Sequence, residues 1–146
     1  MRRRVASLGL VGDEALELML EAPRLNILFM ARIYVAGNEV ARAKKVMEEL
    51  LAAGHSIAFD WTIDIEKQTE EDKLSKPLEE REAVRECDVL VYLWKADQES
   101  ARFEAGMAMG LRKKIIAVTD HRAWFFALPE VIQVDSDDQI LRALSA

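Results

Sequence analysis

One short segment, residues 88–94, is apolar at almost every position and most constrains how this chain can fold. An apolar run of this length is typical of a strand that is covered on both faces, as in a parallel sheet. A polar loop, the small and apolar stretch Ser100–Gly110 and a second apolar stretch beginning at Lys114 follow it. This order of strand, helix and strand predicts a parallel β-α-β unit within an α/β domain.

The same alternation continues on both sides of this unit. The predicted strands cover residues 32–37, 55–62, 88–94, 114–119 and 129–134. Four helices are predicted between and after these strands. The first is capped by Asn38 and ended by Gly54, and the second runs from Pro77, in its first turn, to Glu86. The third begins at Ser100, the fourth covers residues 137–144, and residues 64–76 are predicted to form an exposed loop. Five such strands predict a three-layer flavodoxin- or Rossmann-like fold, with a parallel sheet in the order 2-1-3-4-5 and helices on both faces.

Helical spacing predicts which side chains face the sheet. The inward positions are expected to be Val40, Ala43, Met47, Leu50 and Leu51 in the first helix, Leu78, Ala83, Val84 and Cys87 in and after the second, and Phe103, Gly106, Met107, Gly110 and Leu111 in the third. The two glycines are expected to let the third helix approach the sheet closely.

The first 29 residues do not continue this pattern. Two apolar stretches, at residues 16–20 and 25–29, are separated by Pro23. Two interpretations stay open: an added interaction helix, or an upstream extension outside the working domain. We therefore predict an extension at residues 1–29 and a domain at 30–146.

Charge and composition exclude several classes of protein. The formal net charge of −6 argues against a nucleic-acid binder, and the single cysteine, Cys87, excludes an intramolecular disulfide and a cysteine-based zinc cluster. His55 and His121 have no second histidine at ligand spacing, so no metal site is expected. No apolar run reaches the roughly 18 residues of a membrane span, and no secretory signal is apparent. We expect a cytoplasmic protein without a cofactor.

The ends of the first three strands meet at the switch point of such a sheet, where open α/β folds bind ligands. They bring together Tyr34 with Gly37, Asp60 with Trp61, and the loop that precedes Glu104. Each of these residues also has a purely structural interpretation, since strand-end aromatics pack against the core and an aspartate caps turns. Glu104 lies near a helix start, where the field of the helix N-terminus favours the ionised form. It is either a nucleophilic carboxylate or a surface glutamate.

Three motifs carry a resemblance to a known family. They are Ile33-Tyr-Val-Ala-Gly37, Arg85-Glu-Cys-Asp-Val-Leu-Val91, and residues 102–116 around Glu104. Together with residues 54–62, this pattern resembles the nucleoside 2-deoxyribosyltransferase family, in particular its short and poorly characterised branch. The resemblance implies that Glu104 attacks C1′ of a nucleoside or nucleoside 5′-monophosphate, that Tyr34 orients it, and that Glu80 protonates the departing base.

The chain also departs from the family pattern. Gln98 stands where the family carries an aspartate that holds the sugar hydroxyl, and Asp97 and Glu99 flank it. Ser100 and Arg102 lie where the family has a turn of small residues before the nucleophile. Both could bind a substrate phosphate. The resemblance further implies a homo-oligomer, for which residues 124–126 (Trp-Phe-Phe) are the predicted contact.

Three functional hypotheses follow. The first is an enzyme that transfers or hydrolyses an N-glycosidic bond. The second is a non-catalytic nucleotide-binding or sensor module on the same fold. The third is an interaction protein in which residues 1–29 dock a partner or complete a dimer.

Overall fold

The computed structural model describes residues 30–65 and 68–146 and contains a five-stranded parallel sheet. The predicted N-terminal extension lies outside these residues, so the division at residue 30 stays a prediction. The sheet has the order β2-β1-β3-β4-β5, which confirms the predicted topology. Its strands are β1 Arg32–Ala36, β2 Ser56–Ile57, β3 Val89–Leu93, β4 Lys114–Val118 and β5 Val131–Val134.

Helices form the two outer layers. They are α1 Val40–Ala52, α2 Glu70–Glu86, α3 Ser100–Gly110 and α4 Ile140–Leu144, with short 3₁₀ helices at Trp124–Ala127 and Asp137–Gln139. The guanidinium of Arg42 in α1 donates to both carboxylate oxygens of Asp137, at 2.9 and 2.7 Å, and so ties α1 to the segment that leads into α4. On the other side, α2 and α3 pack against each other and against β1.

The register of the central strands places two tyrosines on the same face of the sheet. Tyr34 pairs with Leu90, and Ala36 pairs with Tyr92. Side chains alternate between faces along a strand, and paired residues of parallel strands point the same way. Tyr34 and Tyr92 therefore share one face, and both are almost fully buried.

The helix α2 begins seven residues earlier than the sequence predicts, and the predicted loop at 64–76 is wrong over its second half. Thr69 and Asp72 form a reciprocal capping box, in which each side chain accepts a hydrogen bond from the other residue's backbone. Three acidic residues in the first turn favour the helix further, because they face its positive end. Pro77 consequently lies inside the helix and not in its first turn.

The buried face of α3 is not the predicted one. The buried residues of α3 are Ala101, Glu104, Ala105 and Ala108. Of the predicted inward positions, Met107 is partly buried against the core. Phe103 and Leu111 are exposed, as are Gly106 and Gly110. A β-carbon added at either glycine would meet no atom within 4 Å, so these glycines do not serve a close approach to the sheet. Small alanine side chains achieve that approach instead.

Other local predictions are corrected in the same way. The residue at the N-terminal boundary of α1 is Glu39 and not Asn38, and Leu51 and Leu78 are exposed. The predicted strand 55–62 shortens to two residues because the chain turns after Ile57 and the side chain of Asp60 accepts from the Thr62 backbone N–H. Gly54, with a φ of +97°, follows the end of α1 as predicted.

Buried His55 gives the fold a measurable pH dependence. Its Nδ1 accepts a hydrogen bond from the Ala31 backbone N–H at 3.0 Å, and burial lowers the pKa of the imidazole. The unfolded chain takes up this proton near pH 6.5, and protonated Nδ1 cannot accept. The contribution of His55 to stability is therefore complete above pH 6.5 and is lost as the pH falls below it.

We expect a His55→Gln variant to lack this dependence, because its amide oxygen still accepts and does not titrate. The free energy of unfolding of the wild type minus that of the variant should fall between pH 6.5 and 5, by at most about 1.4 kcal/mol per pH unit. Urea denaturation of both proteins from pH 5 to 8 measures this. A constant difference over that range would contradict the prediction.

Candidate active site

Glu104 is the charged residue on the buried face of α3. It lies between Ala101 and Ala108, and only 7% of it is exposed. Burial raises the pKa of its carboxyl to about 8, while the Tyr34 hydroxyl lowers it and the charge of Glu80 raises it further. The position of Glu104 near a helix N-terminus predicts an ionised carboxylate. Burial outweighs the field of that N-terminus, so the free protein holds the carboxyl mostly protonated at pH 7.

Tyr34 faces Glu104 from the middle of β1. Burial raises the pKa of its phenol, and the charges of Glu104 and Glu80 raise it further. Although the two side chains lie close together, neither the Tyr34 hydroxyl nor Glu104 Oε2 has a partner that meets hydrogen-bond geometry. The structure thus brings together the pair that the sequence predicted.

Glu80 supplies a second carboxyl from α2. It is half-buried, and its pKa is raised by burial, lowered by Lys76 and raised by Glu79. Its charge acts on both Tyr34 and Glu104. Two carboxyls with unequal burial at one site can take different protonation states, as acid and base chemistry requires.

Tyr92 also belongs to this face of the sheet, and the sequence analysis missed it. In the described part of the chain, three buried side-chain oxygens lack a hydrogen-bond partner: Tyr34 Oη, Tyr92 Oη and Glu104 Oε2. Burial raises the pKa of Tyr92, Arg102 lowers it and Glu104 raises it. The available signal was register, since Tyr92 lies two residues beyond the partner of Tyr34.

The residues that follow β1 and β2 make packing contacts and hydrogen bonds within the chain. The indole N–H of Trp61 donates to the Val35 carbonyl at 2.7 Å, and the ring is buried. Asp60 closes the turn at Thr62 through its carboxylate. A β-carbon on Gly37 would lie 3.3 Å from the Leu93 side chain, so packing against β3 favours glycine there.

The loop before α3 is closed by Gln98. This side chain is buried, accepts from the Lys95 backbone N–H at 2.9 Å and donates to the Leu93 carbonyl at 2.6 Å. Asp97 and Ser100 are exposed, and Glu99 and not Ser100 occupies the cap position of α3. Arg102 donates to the Ala96 carbonyl at 3.3 Å and extends along the side of α3 toward Tyr92.

The comparisons with known proteins concern this fold. It is similar to the solved structure of a Clostridium botulinum CMP N-glycosidase, BcmB. The TM-score is 0.53 at 20% sequence identity, and the alignment covers 77% of this chain and 97% of that one. No protein-family model matches the sequence, and no curated protein matches it. At this identity the likeness to BcmB establishes a shared fold and leaves the chemistry to the residues.

The remaining predictions concern Cys87, metal binding, membrane spans and the oligomer contact. Cys87 is buried, its thiol donates to the Val84 carbonyl, and burial raises its pKa, so it is a structural residue. Over residues 30–65 and 68–146, no group of three His, Cys, Asp or Glu could hold a metal, and no helix is long and apolar enough to cross a membrane. The homo-oligomer stays a prediction; at the predicted contact, Trp124 is 94% exposed, more than any other large apolar residue that the structure describes.

Proposed function

We propose that this protein cleaves the N-glycosidic bond of a nucleoside or nucleoside 5′-monophosphate through Glu104. The observation that carries the proposal is the cluster of buried Glu104 and Tyr34 with half-buried Glu80, in which Glu104 Oε2 and Tyr34 Oη lack hydrogen-bond partners. A buried polar atom without a partner costs about 1–3 kcal/mol, and such a cost on one face of a sheet is typical of a reactive site. The similarity of this protein's fold to that of a CMP N-glycosidase supports the same class of reaction.

The proposed reaction has two steps. Glu104 first releases to solvent the proton that it holds at pH 7. Its carboxylate then attacks C1′, the bond from C1′ to the base nitrogen breaks, and the electron pair of that bond leaves with the base. Glu80 in its protonated form gives its proton to that nitrogen, which is consistent with the raised pKa of its carboxyl. Water then attacks C1′ of the glycosyl ester, releases Glu104 and returns a proton to Glu80. A second base in place of water would make the reaction a transfer.

Tyr34 positions the nucleophile in this scheme. Its hydroxyl lies beside the Glu104 carboxyl and lowers the pKa of that group against the effect of burial. The developing positive charge at C1′ would favour the ionised carboxylate in the same way. We favour hydrolysis over transfer because Gln98 replaces the expected sugar-holding aspartate and its amide is already bonded within the loop.

The same observations favour one alternative, a non-catalytic nucleotide-binding module. A protonated Glu104 is a poor nucleophile, and the carboxylates beside buried Gln98, those of Asp97 and Glu99, belong to exposed residues. A chromatographic screen for free base, run with deoxynucleosides, ribonucleosides and their 5′-monophosphates, separates the two. The enzyme releases base from at least one compound, whereas the binding module is stabilised thermally by a nucleotide and releases none.

A further inference from the structure

A groove of about 680 Å³ lies between α3 and the 3₁₀ helix Trp124–Ala127. Its walls are almost entirely apolar. Phe125 and Phe126 form one side, and Ala105 and Gly106 form the other. Pockets of about 300–1,000 Å³ are typical of small-molecule sites. Neither Glu104 nor Tyr34 lines this groove, but Tyr92 does, and the charge of Glu104 raises the pKa of Tyr92, so the groove adjoins the proposed active site.

Gly106 contributes no side chain to the wall of the groove. A β-carbon at this position would meet nothing within 4 Å, so packing does not require a glycine there. Glycine in a helix costs about 1 kcal/mol relative to alanine. Gly106 lines the same groove as Phe125, which is 68% exposed.

The groove also has a polar end. Tyr92 lines it, is only 2% exposed, and its hydroxyl has no hydrogen-bond partner. Arg102 lies beside it and lines the same groove. In the described part of the chain, Arg102 takes part in none of the ion pairs, and its bond to the Ala96 carbonyl leaves donors available. The Arg102 guanidinium and the Tyr92 hydroxyl could both donate hydrogen bonds to a bound anion.

We propose that this groove binds a small, flat aromatic anion. The ring lies between Phe125 and Gly106, and the anionic group accepts from Arg102 and from the Tyr92 hydroxyl. Aromatic side chains bind such rings by stacked or edge contacts, and guanidinium groups bind carboxylates through paired hydrogen bonds. The proposal does not depend on the chemistry at Glu104.

Titration calorimetry with two matched probes on the full chain tests this. We expect 2-naphthoate to bind and 2-naphthylmethylamine, which has the same ring and the opposite charge, to bind at least about 10-fold more weakly. Arg102→Gln should weaken naphthoate binding about 10- to 100-fold. Glu48→Gln, which makes a matched change of charge at an exposed position of α1, should leave it unchanged, because Glu48 does not line the groove.

Gly106→Leu tests the position of the ring. The added side chain fills the groove, improves helix propensity and should abolish naphthoate binding, while Gly106→Ala should weaken it less. Circular dichroism of both variants checks that they fold. Equal binding of the two probes, or naphthoate binding that survives Arg102→Gln or Gly106→Leu, would overturn the proposal. So would a wild-type dimer that Gly106→Leu converts to a monomer, since a second copy would then occupy the groove.

Discussion

Glu104→Gln is expected to lower base release by at least about 10³-fold relative to the wild type. Glutamine has nearly the same shape as glutamate, so the buried face of α3 stays filled. Its amide oxygen, however, is a poor nucleophile and cannot form the ester with C1′. The rate of free-base formation, followed by chromatography on the best substrate of the screen, measures the effect.

Glu48→Gln is the matched control. Glu48 is exposed on α1, far from the α2–α3 face, and the variant makes the same change of charge. We expect it to keep wild-type activity. If Glu104→Gln retains more than about a tenth of the wild-type rate, another group is the nucleophile.

The same substitution is expected to stabilise the folded protein at alkaline pH. The Glu104 carboxyl has a pKa of about 8 in the folded protein, against an ordinary value of 4.5. Between these values the folded state retains a proton that the unfolded state has lost. The stability of the wild type therefore falls as the pH rises through this window, by about 1.4 kcal/mol per pH unit at most.

Glutamine does not titrate, so the advantage of Glu104→Gln grows from pH 5 to pH 8 and is constant above that. At pH 9 we expect a gain in the free energy of unfolding of roughly 3–5 kcal/mol. Urea denaturation at pH 5, 7 and 9, with Glu48→Gln beside it, measures the gain. An equal difference at all three pH values would show that the carboxyl is not held protonated by burial.

These two expectations belong together. If ionisation of the Glu104 carboxyl lowers the stability of the fold, the residue needs a functional explanation. Loss of base release in Glu104→Gln would supply that explanation. If the variant gains stability and base release is unchanged, Glu104 is a buried group without a catalytic role.

The topology was predictable because the central strands are apolar throughout and therefore buried on both faces. Periodicity could not give the buried face of α3, since large apolar residues lie at helical spacing on its outer side and alanines lie on its inner side. Hydropathy ranks Phe103 above Ala101 as a core residue. The close approach of helix and sheet reverses that order, and no local pattern encodes this distance.

The site was predictable in part for a related reason. A single acid on an otherwise small and apolar helix identified Glu104, and the family resemblance supplied Tyr34 and Glu80. Tyr92 required the register of β1 against β3, which is a property of the assembled sheet. The use of Gln98 to close its own loop depends on the path of the backbone, so its amide could not be assigned from the sequence.

Mass spectrometry of the protein during turnover tests the central claim most directly. Trypsin cleaves after Arg102 and Arg112, and Glu104 is the only acidic residue in the peptide that covers residues 103–112. After a rapid acid quench, we predict that a fraction of this peptide gains the mass of the sugar, or of the sugar phosphate, and that Glu104→Gln shows no gain. A glycosyl adduct on any other peptide, or base release that leaves residues 103–112 unmodified, would contradict the account.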